Sequence, residues 1–445
     1  MTVSDSRIQL MQQHLNALFD DPTLEPSDEL LRDFEDTLRT VHIDPSILVQ
    51  TLPIILKTIQ SHETTRSTKL FSIKVLSVLL PYFTISQIKT IIDDDLMYRA
   101  FSGPQALQKV IADLIARAGK GEVDTNLVHN LFGSLKLVND VGVVNSIEKA
   151  IVQLVKVNDI NEELFQIDIS DFYDDTLLYS RLISVSTQLL PFVPNLPDSW
   201  YMVSEEQLLK YDDVLFFQYV LGSIQTLISY MGEIDINQNI EKQVDWIASM
   251  FTEKNSKFEE MEGFCEFQIV DVLTTLASSS EEMFNKFDKK YKIVEYASLL
   301  QNEKSFYFMA TIKPRYLKNI DFRVPLGHKT IDIFCNLISD DDIASKVDFD
   351  EVAIKGLTFE EIYKIFLTLC KSKTKMKIMV QRCPIVIEKM VNSHITNNEM
   401  FEIDQIEQLL FELSRSGIDL GELRTSIDKK LNGEVSVMGP LTQTR

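Results

Sequence analysis

The chain of 445 residues is 45% apolar and 25% charged, which is typical of folded proteins and too apolar for a disordered chain. Its 44 basic and 66 acidic residues give a formal net charge of −22. This charge disfavours direct nucleic-acid binding, because such binding depends on neutralising phosphates. A basic partner protein fits better, since opposite charge speeds the encounter.

Cysteine usage and the amino terminus indicate the compartment. Cys265, Cys335, Cys370 and Cys383 are widely spaced and form no C-x-x-C pair, so neither a disulfide framework nor a zinc site is expected. The amino terminus lacks a basic segment followed by an apolar core, the pattern of a secretory signal. We therefore expect a reducing compartment, the cytosol or the nucleus.

Apolar residues spaced three and four apart predict a succession of helices of about 10 to 20 residues. Ser4 opens the first, Pro26-Ser27 the second, and Asp44-Pro45 the third, which has an acidic cap and Pro at the first helical position. The later windows are 67–80, 105–118, 124–137, 143–157, 176–190, 213–231, 236–251, 264–277, 325–338, 359–371, 384–391, 403–413 and 422–431.

One of these windows is apolar enough to be considered as a membrane-spanning helix. The stretch 214–231 carries no charge and reaches the minimum length of a spanning helix, but it contains several Gln and Ser residues and has no basic flank. We interpret it as a buried helix in a stack, and no membrane association is expected.

The spacing of the helices predicts the fold class. Alternation with a period of two is nearly absent, so no sheet is expected. Paired helices recur about every 35 to 45 residues, which is the period of HEAT and armadillo arrays. We therefore predict an all-α protein, a curved α-solenoid of HEAT/ARM-like helical repeats, as a single array over residues 1–432. Residues 433–445 have no periodicity and are predicted to form a disordered tail.

The sequence contains no recognisable catalytic, cofactor-binding or metal-binding motif. The phosphate-binding, dinucleotide-binding, zinc-protease and nucleophile-elbow patterns do not occur, and the six histidines are far apart. The acidic stretch 168–175 fails as a calcium loop, because Tyr179 stands where the bidentate Glu is required. We predict no enzyme activity, cofactor or metal. The lysine run 371–377 is interpreted as a solvated turn around a helix end, with contact to an acidic partner as the alternative.

Uncharged polar side chains form stripes along consecutive predicted helices. The main stripe has the spacing i, i+4, i+7, i+11, which places its members on one face of a largely apolar helix. The stripe residues are Gln218, Gly222, Gln225 and Ser229, with Ser180, Ser184 and Thr187 on the preceding helix and Asn145 and Glu148 one repeat earlier. We interpret them as a shallow channel that binds a partner, toward which Glu148, Asp212 and Asp213 would steer a basic domain. Packing against a neighbouring repeat is the equally weighted alternative.

Several segments resemble the fungal HEAT-repeat chaperone family of proteasome regulatory-particle assembly, which also carries the DNA mismatch-repair label HSM3. They are KVLSVLLPYFTISQIKTII, ALQKVIADLIARA, DVLFFQYVLGSIQTLISYM and IEQLLFELSRSGIDLGELRTSIDKKLNG. The resemblance extends from residue 30 to residue 432 and contains no invariant signature.

The resemblance implies a C-shaped solenoid that binds the carboxy-terminal helical domain of an AAA ATPase subunit of the proteasome base. Such a chaperone escorts the ATPase during base assembly and departs before the mature proteasome works; other base subunits are further candidate partners. Any DNA-repair role would be indirect. Two alternatives remain: another HEAT/ARM adaptor or transport scaffold for a basic partner, and an enzyme with an unrecognised helical site. The chain contains only two tryptophans, Trp200 and Trp246. Transport receptors of this fold usually have regular ladders of Trp and Asn, so this version of the adaptor alternative is disfavoured.

Overall fold

The computed structural model describes residues 3–40, 43–158, 164–252, 259–318, 326–392 and 400–432. Within these ranges the regular structure is helical and no strand occurs; one isolated bridge joins Met231 and Ile234. The predicted all-α class is confirmed. The predicted tail at 433–445 lies outside the described residues. The curvature and the single array over 1–432 stay predictions.

The chain divides into two compact units, of which the first is Met1–Asn239. Its helices are α1 (Val3–Asp20), α2 (Asp28–Thr40), α3 (Pro45–Gln60), α4 (Arg66–Leu79), α5 (Ile85–Ile88), α6 (Asp94–Ala100), α7 (Gln105–Ile115), α8 (Leu127–Leu137), α9 (Val141–Val157), α10 (Thr176–Leu189), α11 (Glu205–Tyr211) and α12 (Val214–Ser229). Short 3-10 helices lie at Leu80–Tyr82, Ser170–Tyr173 and Asp198–Trp200.

The second unit is Ile240–Arg445, and it contains most of α13 (Asn237–Thr252). The helices that follow are α14 (Glu259–Ser279), α15 (Glu281–Tyr291), α16 (Ile293–Ser298), α17 (Glu303–Thr311), α18 (Ile331–Leu337), α19 (Asp341–Ala344), α20 (Glu351–Gly356), α21 (Phe359–Leu369), α22 (Lys373–Arg382), α23 (Pro384–Val391), α24 (Met400–Arg415) and α25 (Leu423–Leu431). A 3-10 helix lies at Pro314–Leu317.

Acidic caps begin several helices of the first unit, as the sequence predicts for Asp44. Its side chain accepts a hydrogen bond from the Ser46 N–H at 2.7 Å, and Pro45 occupies the first helical position. Asp140, Asp175 and Asp213 cap α9, α10 and α12 in the same manner. Each carboxylate satisfies an amide that has no partner within the helix and lies at the positive end of the helix dipole.

Consecutive helices of the first unit pack as a row. α4, α7, α9, α10 and α12 lie side by side in that order, while α3 packs on α4 and α8 packs on α9. Phe132 of α8 is buried, and its ring meets the rings of Phe172 and Trp200 edge to face, at centroid distances of 6.3 and 5.6 Å. Such aromatic contacts join the helix pairs into one core.

Hydrogen bonds between residues one repeat apart show the predicted period. They link equivalent positions of successive helix pairs within each unit. Examples are Arg117 to the Pro81 carbonyl (36 positions apart), Ser184 to Glu148 (36) and Thr176 to Asp213 (37) in the first unit, and Tyr307 to Asp271 (36) and Lys375 to the Ser339 carbonyl (36) in the second. These separations lie within the predicted spacing of about 35 to 45 residues. The helical-repeat class is therefore confirmed.

The second unit contains a row of its own. α14 packs on α17, α17 on α18, and α18 on α21. Its core includes a continuous apolar cluster that runs from Ile331 to Ile427. Short helices such as α15 and α17 were absent from the predicted windows. They are only 11 and 9 residues long, and their buried apolar side chains are few: Met283, Phe284 and Phe287 in α15, and Phe308 and Met309 in α17. So few apolar positions give a weak signal in the sequence.

The lysine run corrects one expectation, because it is mostly helix rather than a solvated turn. Ser372 caps α22 by accepting a hydrogen bond from the Lys375 N–H. The Lys375 side chain is buried, and its Nζ donates to the Ser339 carbonyl at 2.9 Å and lies 3.7 Å from Asp341. A long side chain of this kind can pack its methylenes and still place its ammonium group on a carbonyl.

Three further features bear on function. Across the described residues, no helix combines the length and apolarity that a membrane crossing requires. No cluster of side chains suited to a metal ion occurs in the same residues. Cys265, Cys370 and Cys383 are buried free thiols, and burial raises the pKa of both Cys370 and Cys383 to about 12. Thiols with so high a pKa are poor nucleophiles.

Candidate functional site

The predicted stripe lies where α9, α10 and α12 pack side by side. On α12, Gly222 and Ser229 are exposed, whereas Gln218 and Gln225 are half-buried at the edges of the exposed face. A Cβ atom added to Gly222 would meet no atom within 4 Å. The stripe is therefore not packed against a neighbouring repeat at this position. The centre of the exposed face is shifted by one residue and also contains Tyr219 and Thr226.

The stripe on α10 is only partly as predicted. Ser180 and Ser184 are half-buried near the surface, but Thr187 is buried and its hydroxyl is not among the exposed groups. Gln188 occupies the exposed position instead. The row at the surface is Ser180, Ser184 and Gln188, with the spacing i, i+4, i+8. This row is inclined to the helix axis, so near the end of the helix the residue at i+7 lies on the side that packs against other helices. Thr187 is thus removed from the predicted surface.

The structure connects α9 to this row through a carboxylate. Asn145 is exposed, whereas Glu148 is buried, and its Oε2 accepts a hydrogen bond from the Ser184 hydroxyl at 2.9 Å. Burial raises the pKa of the Glu148 carboxyl, although hydrogen bonds from Ser184 and Gln188 and the charge of Arg181 act in the opposite direction. Glu148 is a structural link between repeats and not a steering charge on the surface, which corrects its predicted role.

The other two predicted steering residues, Asp212 and Asp213, lie beside the first turn of α12. The Asp213 carboxylate accepts hydrogen bonds from the Leu215 and Phe216 amides and from the Thr176 hydroxyl at 2.7 Å, and the last of these lowers its pKa most. Asp212 is exposed and ends α11 in the left-handed conformation, with φ of 50°. Both residues therefore place negative charge beside the first turn of α12.

Three apolar residues extend the surface and were not predicted from the sequence. Val141, Leu177 and Leu215 lie in the first turns of α9, α10 and α12 and are 72%, 58% and 76% exposed. They recur once per repeat, and each follows a capping Asp by one or two residues. Their position in the sequence was the available signal. The exposed first turn of a helix usually carries polar or acidic side chains, so apolar residues there are unusual.

We call the exposed and half-buried residues along the surface of α10 and α12 the uncharged face. It consists of Leu177, Ser180, Ser184, Gln188, Leu215, Tyr219, Gly222, Thr226 and Ser229. The sequence of α12 contains no charged residue, and α10 contains only Arg181. Arg181 is buried and donates to the Leu135 carbonyl at 2.7 Å. In a chain that is 25% charged, an exposed surface without charge across two helices that pack side by side has the composition of an interface core.

The raised pKa of Glu148 leads to a prediction on stability. Above pH of about 4.5 the unfolded chain loses this proton while the folded state retains it, so stability falls as pH rises toward the raised folded pKa. Glu148→Gln removes the cost of a buried charge and keeps an acceptor for Ser184. We expect the variant to have a higher urea midpoint than the parent protein at pH 8 and a similar midpoint at pH 4. The exposed Glu388→Gln is the control and should match the parent at both values; a variant less stable at pH 8 would contradict the prediction.

The fold and this face define the class of the protein, which is all-α and built from helical repeats. Two family models match it: "DNA mismatch repair protein HSM3, N terminal domain" over residues 9–227 and "DNA mismatch repair protein HSM3, C terminal domain" over residues 236–419. The chain belongs to the HSM3 family. The gap between the two matches directly precedes the boundary between the two compact units. Among curated proteins none matches this chain.

Two solved structures are similar to the chain at low level. One is an engineered protein with 12% identity and a TM-score of 0.36, and the match covers 97% of this chain and 98% of the other. The second comes from work on a phosphorylation switch that controls the interaction between cadherin and beta-catenin; it has 11% identity, a TM-score of 0.26 and 96% coverage of both chains. Neither likeness supports an argument, so the fold assignment rests on the helices themselves.

Proposed function

We propose that this protein is a non-catalytic assembly chaperone of the proteasome base, acting in the cytosol or the nucleus. Its partner is the carboxy-terminal helical domain of an AAA ATPase subunit, which it binds before the regulatory particle is complete. The observation that carries the proposal is membership of the HSM3 family over both units. The uncharged face supports it with a surface suited to a docked helical domain.

The composition of the face fits binding without chemistry. Gly222 and Ser229 allow a partner helix to approach the α12 backbone closely, as small residues do at helix contacts in general. Leu177 and Leu215 offer apolar area, and burying such area contributes about 25 cal/mol per Å². Ser180 and Gln188 can exchange hydrogen bonds with a partner.

Charge supports a basic partner. Asp140, Asp175 and Asp213 cap α9, α10 and α12 and place a row of carboxylates along one edge of the face. With a formal net charge of −22, the protein attracts a basic domain from a distance, and the uncharged centre avoids desolvating charges on contact.

The test is affinity purification of the full chain followed by mass spectrometry. We expect free ATPase subunits and early base intermediates in stoichiometric amounts, with the finished 26S particle absent. Added recombinant ATPase carboxy-terminal domains should bind directly. Stoichiometric recovery in mature, active proteasomes would contradict a chaperone role.

The same experiment addresses the alternatives. Recovery of an unrelated basic protein in place of the ATPases would support another HEAT/ARM adaptor. The family description refers to DNA mismatch repair, and we propose that any such role is indirect because the acidic chain disfavours phosphate contacts. Salt-sensitive binding of the purified protein to duplex DNA would overturn that part.

A further inference from the structure

A groove of about 440 Å³ lies in the second unit, where α17, α18 and α21 pack side by side. It is separate from the uncharged face, which belongs to the first unit. Its lining includes the side chains of Tyr307, Thr311, Cys335, Thr368 and Lys371. Burial raises the pKa of the Cys335 thiol to about 12, so this thiol contributes packing and not reactivity.

Exposed aromatic residues continue this groove at one end. Phe264 and Phe267 of α14 are 71% and 48% exposed, although aromatic side chains of this size are usually buried. The Phe267 ring meets the Tyr307 ring edge to face at a centroid distance of 5.1 Å, and Tyr307 also lines the groove. The Tyr307 hydroxyl donates to Asp271 of α14 at 2.8 Å. This hydrogen bond holds the Tyr307 ring between the groove and the exposed phenylalanines of α14.

The opposite end of the groove carries an available cation. Asp332 is paired with Lys364 at 2.9 Å, so these two charges balance each other. Lys371 is exposed and makes no ion pair or hydrogen bond within the described part of the chain. The Thr368 hydroxyl donates to the Lys364 carbonyl and retains acceptor capacity beside it. This end therefore favours an anionic group, in contrast to the acidic chain as a whole.

We propose that the groove is a second docking surface, and that it binds an extended partner segment with an apolar residue at one end and a carboxylate at the other. The apolar residue packs on Phe264 and Phe267, and the carboxylate pairs with Lys371. Neighbouring helix axes lie about 8–10 Å apart, so the three steps from α14 to α21 measure at most about 30 Å. An extended chain advances about 3.4 Å per residue, so roughly nine residues span the groove.

The test uses a displayed library of random decapeptides, selected on the full chain. We expect enriched sequences with an aromatic or large aliphatic residue and an acidic residue separated by several positions. A synthetic peptide of the enriched sequence should bind at least about tenfold more weakly to Lys371→Glu, which corresponds to about 1.4 kcal/mol. Lys377→Glu is the matched control, because Lys377 is exposed on the same lysine run but does not line the groove.

Two further variants complete the design. Phe264→Ser should weaken the same peptide by a similar factor, and a peptide with its acidic residue changed to Lys should lose the difference between the parent protein and Lys371→Glu. Gly222→Arg should bind the peptide as the parent does, so failure at the uncharged face and failure at the groove remain distinguishable. The proposal is overturned if no sequence is enriched, or if the selected peptides bind Lys371→Glu as tightly as the parent.

Discussion

Gly222→Arg should strongly weaken binding of the ATPase carboxy-terminal domain without lowering the melting temperature. The open space around the Gly222 Cα accommodates the new side chain without a clash in the free protein. Arg also has a better helix propensity than Gly by roughly 0.8 kcal/mol, so the helix itself is not weakened. In the complex, the same side chain would occupy the centre of the uncharged face. We expect binding to weaken by about 100-fold, equivalent to about 2.7 kcal/mol, measured by calorimetry beside a thermal melt.

A matched control separates docking from general effects of the substitution. Gly133 is also an exposed helical glycine with no atom within 4 Å of an added Cβ, but it lies on α8 outside the uncharged face. Gly133→Arg should bind the partner as the parent does. Equal loss of binding in both variants, or a collapsed melt of Gly222→Arg, would show that the face is not the docking site.

Phe132→Ala should be among the most destabilising single substitutions in the first unit. The Phe132 ring is buried between Phe172 and Trp200, so truncation leaves a cavity that its rigid aromatic neighbours cannot fill. Comparable substitutions cost about 3–5 kcal/mol. The transition can be followed by the fluorescence of Trp200 in a Trp246→Phe background, because these are the two tryptophans of the chain. We expect its midpoint to fall by roughly 10 °C.

The control for this prediction is Phe165→Ala. Phe165 is an exposed phenylalanine of the same unit, so its truncation removes little buried area. We expect a change within about 0.5 kcal/mol, as for most surface substitutions. A small effect of Phe132→Ala, similar to that of Phe165→Ala, would mean that the aromatic cluster does not hold the helix pairs together.

The helical class and the repeat could be predicted because both depend on local patterns. Few glycines and prolines, apolar spacing of three and four, and capping residues such as Asp44 act within one helix, so they are visible in a single sequence. The same holds for the uncharged character of 214–229, since composition does not depend on neighbours. Short helices such as α15 and α17, of 11 and 9 residues, escaped prediction because so few apolar positions give a weak pattern and packing supplies most of their stability.

The composition of the stripe could be predicted from the sequence. Which of its residues lie at the surface and which in the interior depends on how the helices pack. Gly222 and Ser229 are exposed, but Thr187, of similar polarity and at a similar helical position, is buried. Spacing gives an angle around one helix, and burial depends on which helix covers that angle. For the same reason Glu148 became a hydrogen-bonded link to Ser184, 36 residues away, and Leu215 became a surface residue. Contacts between repeats decide which side of each helix meets solvent, and those contacts form only when the helices pack.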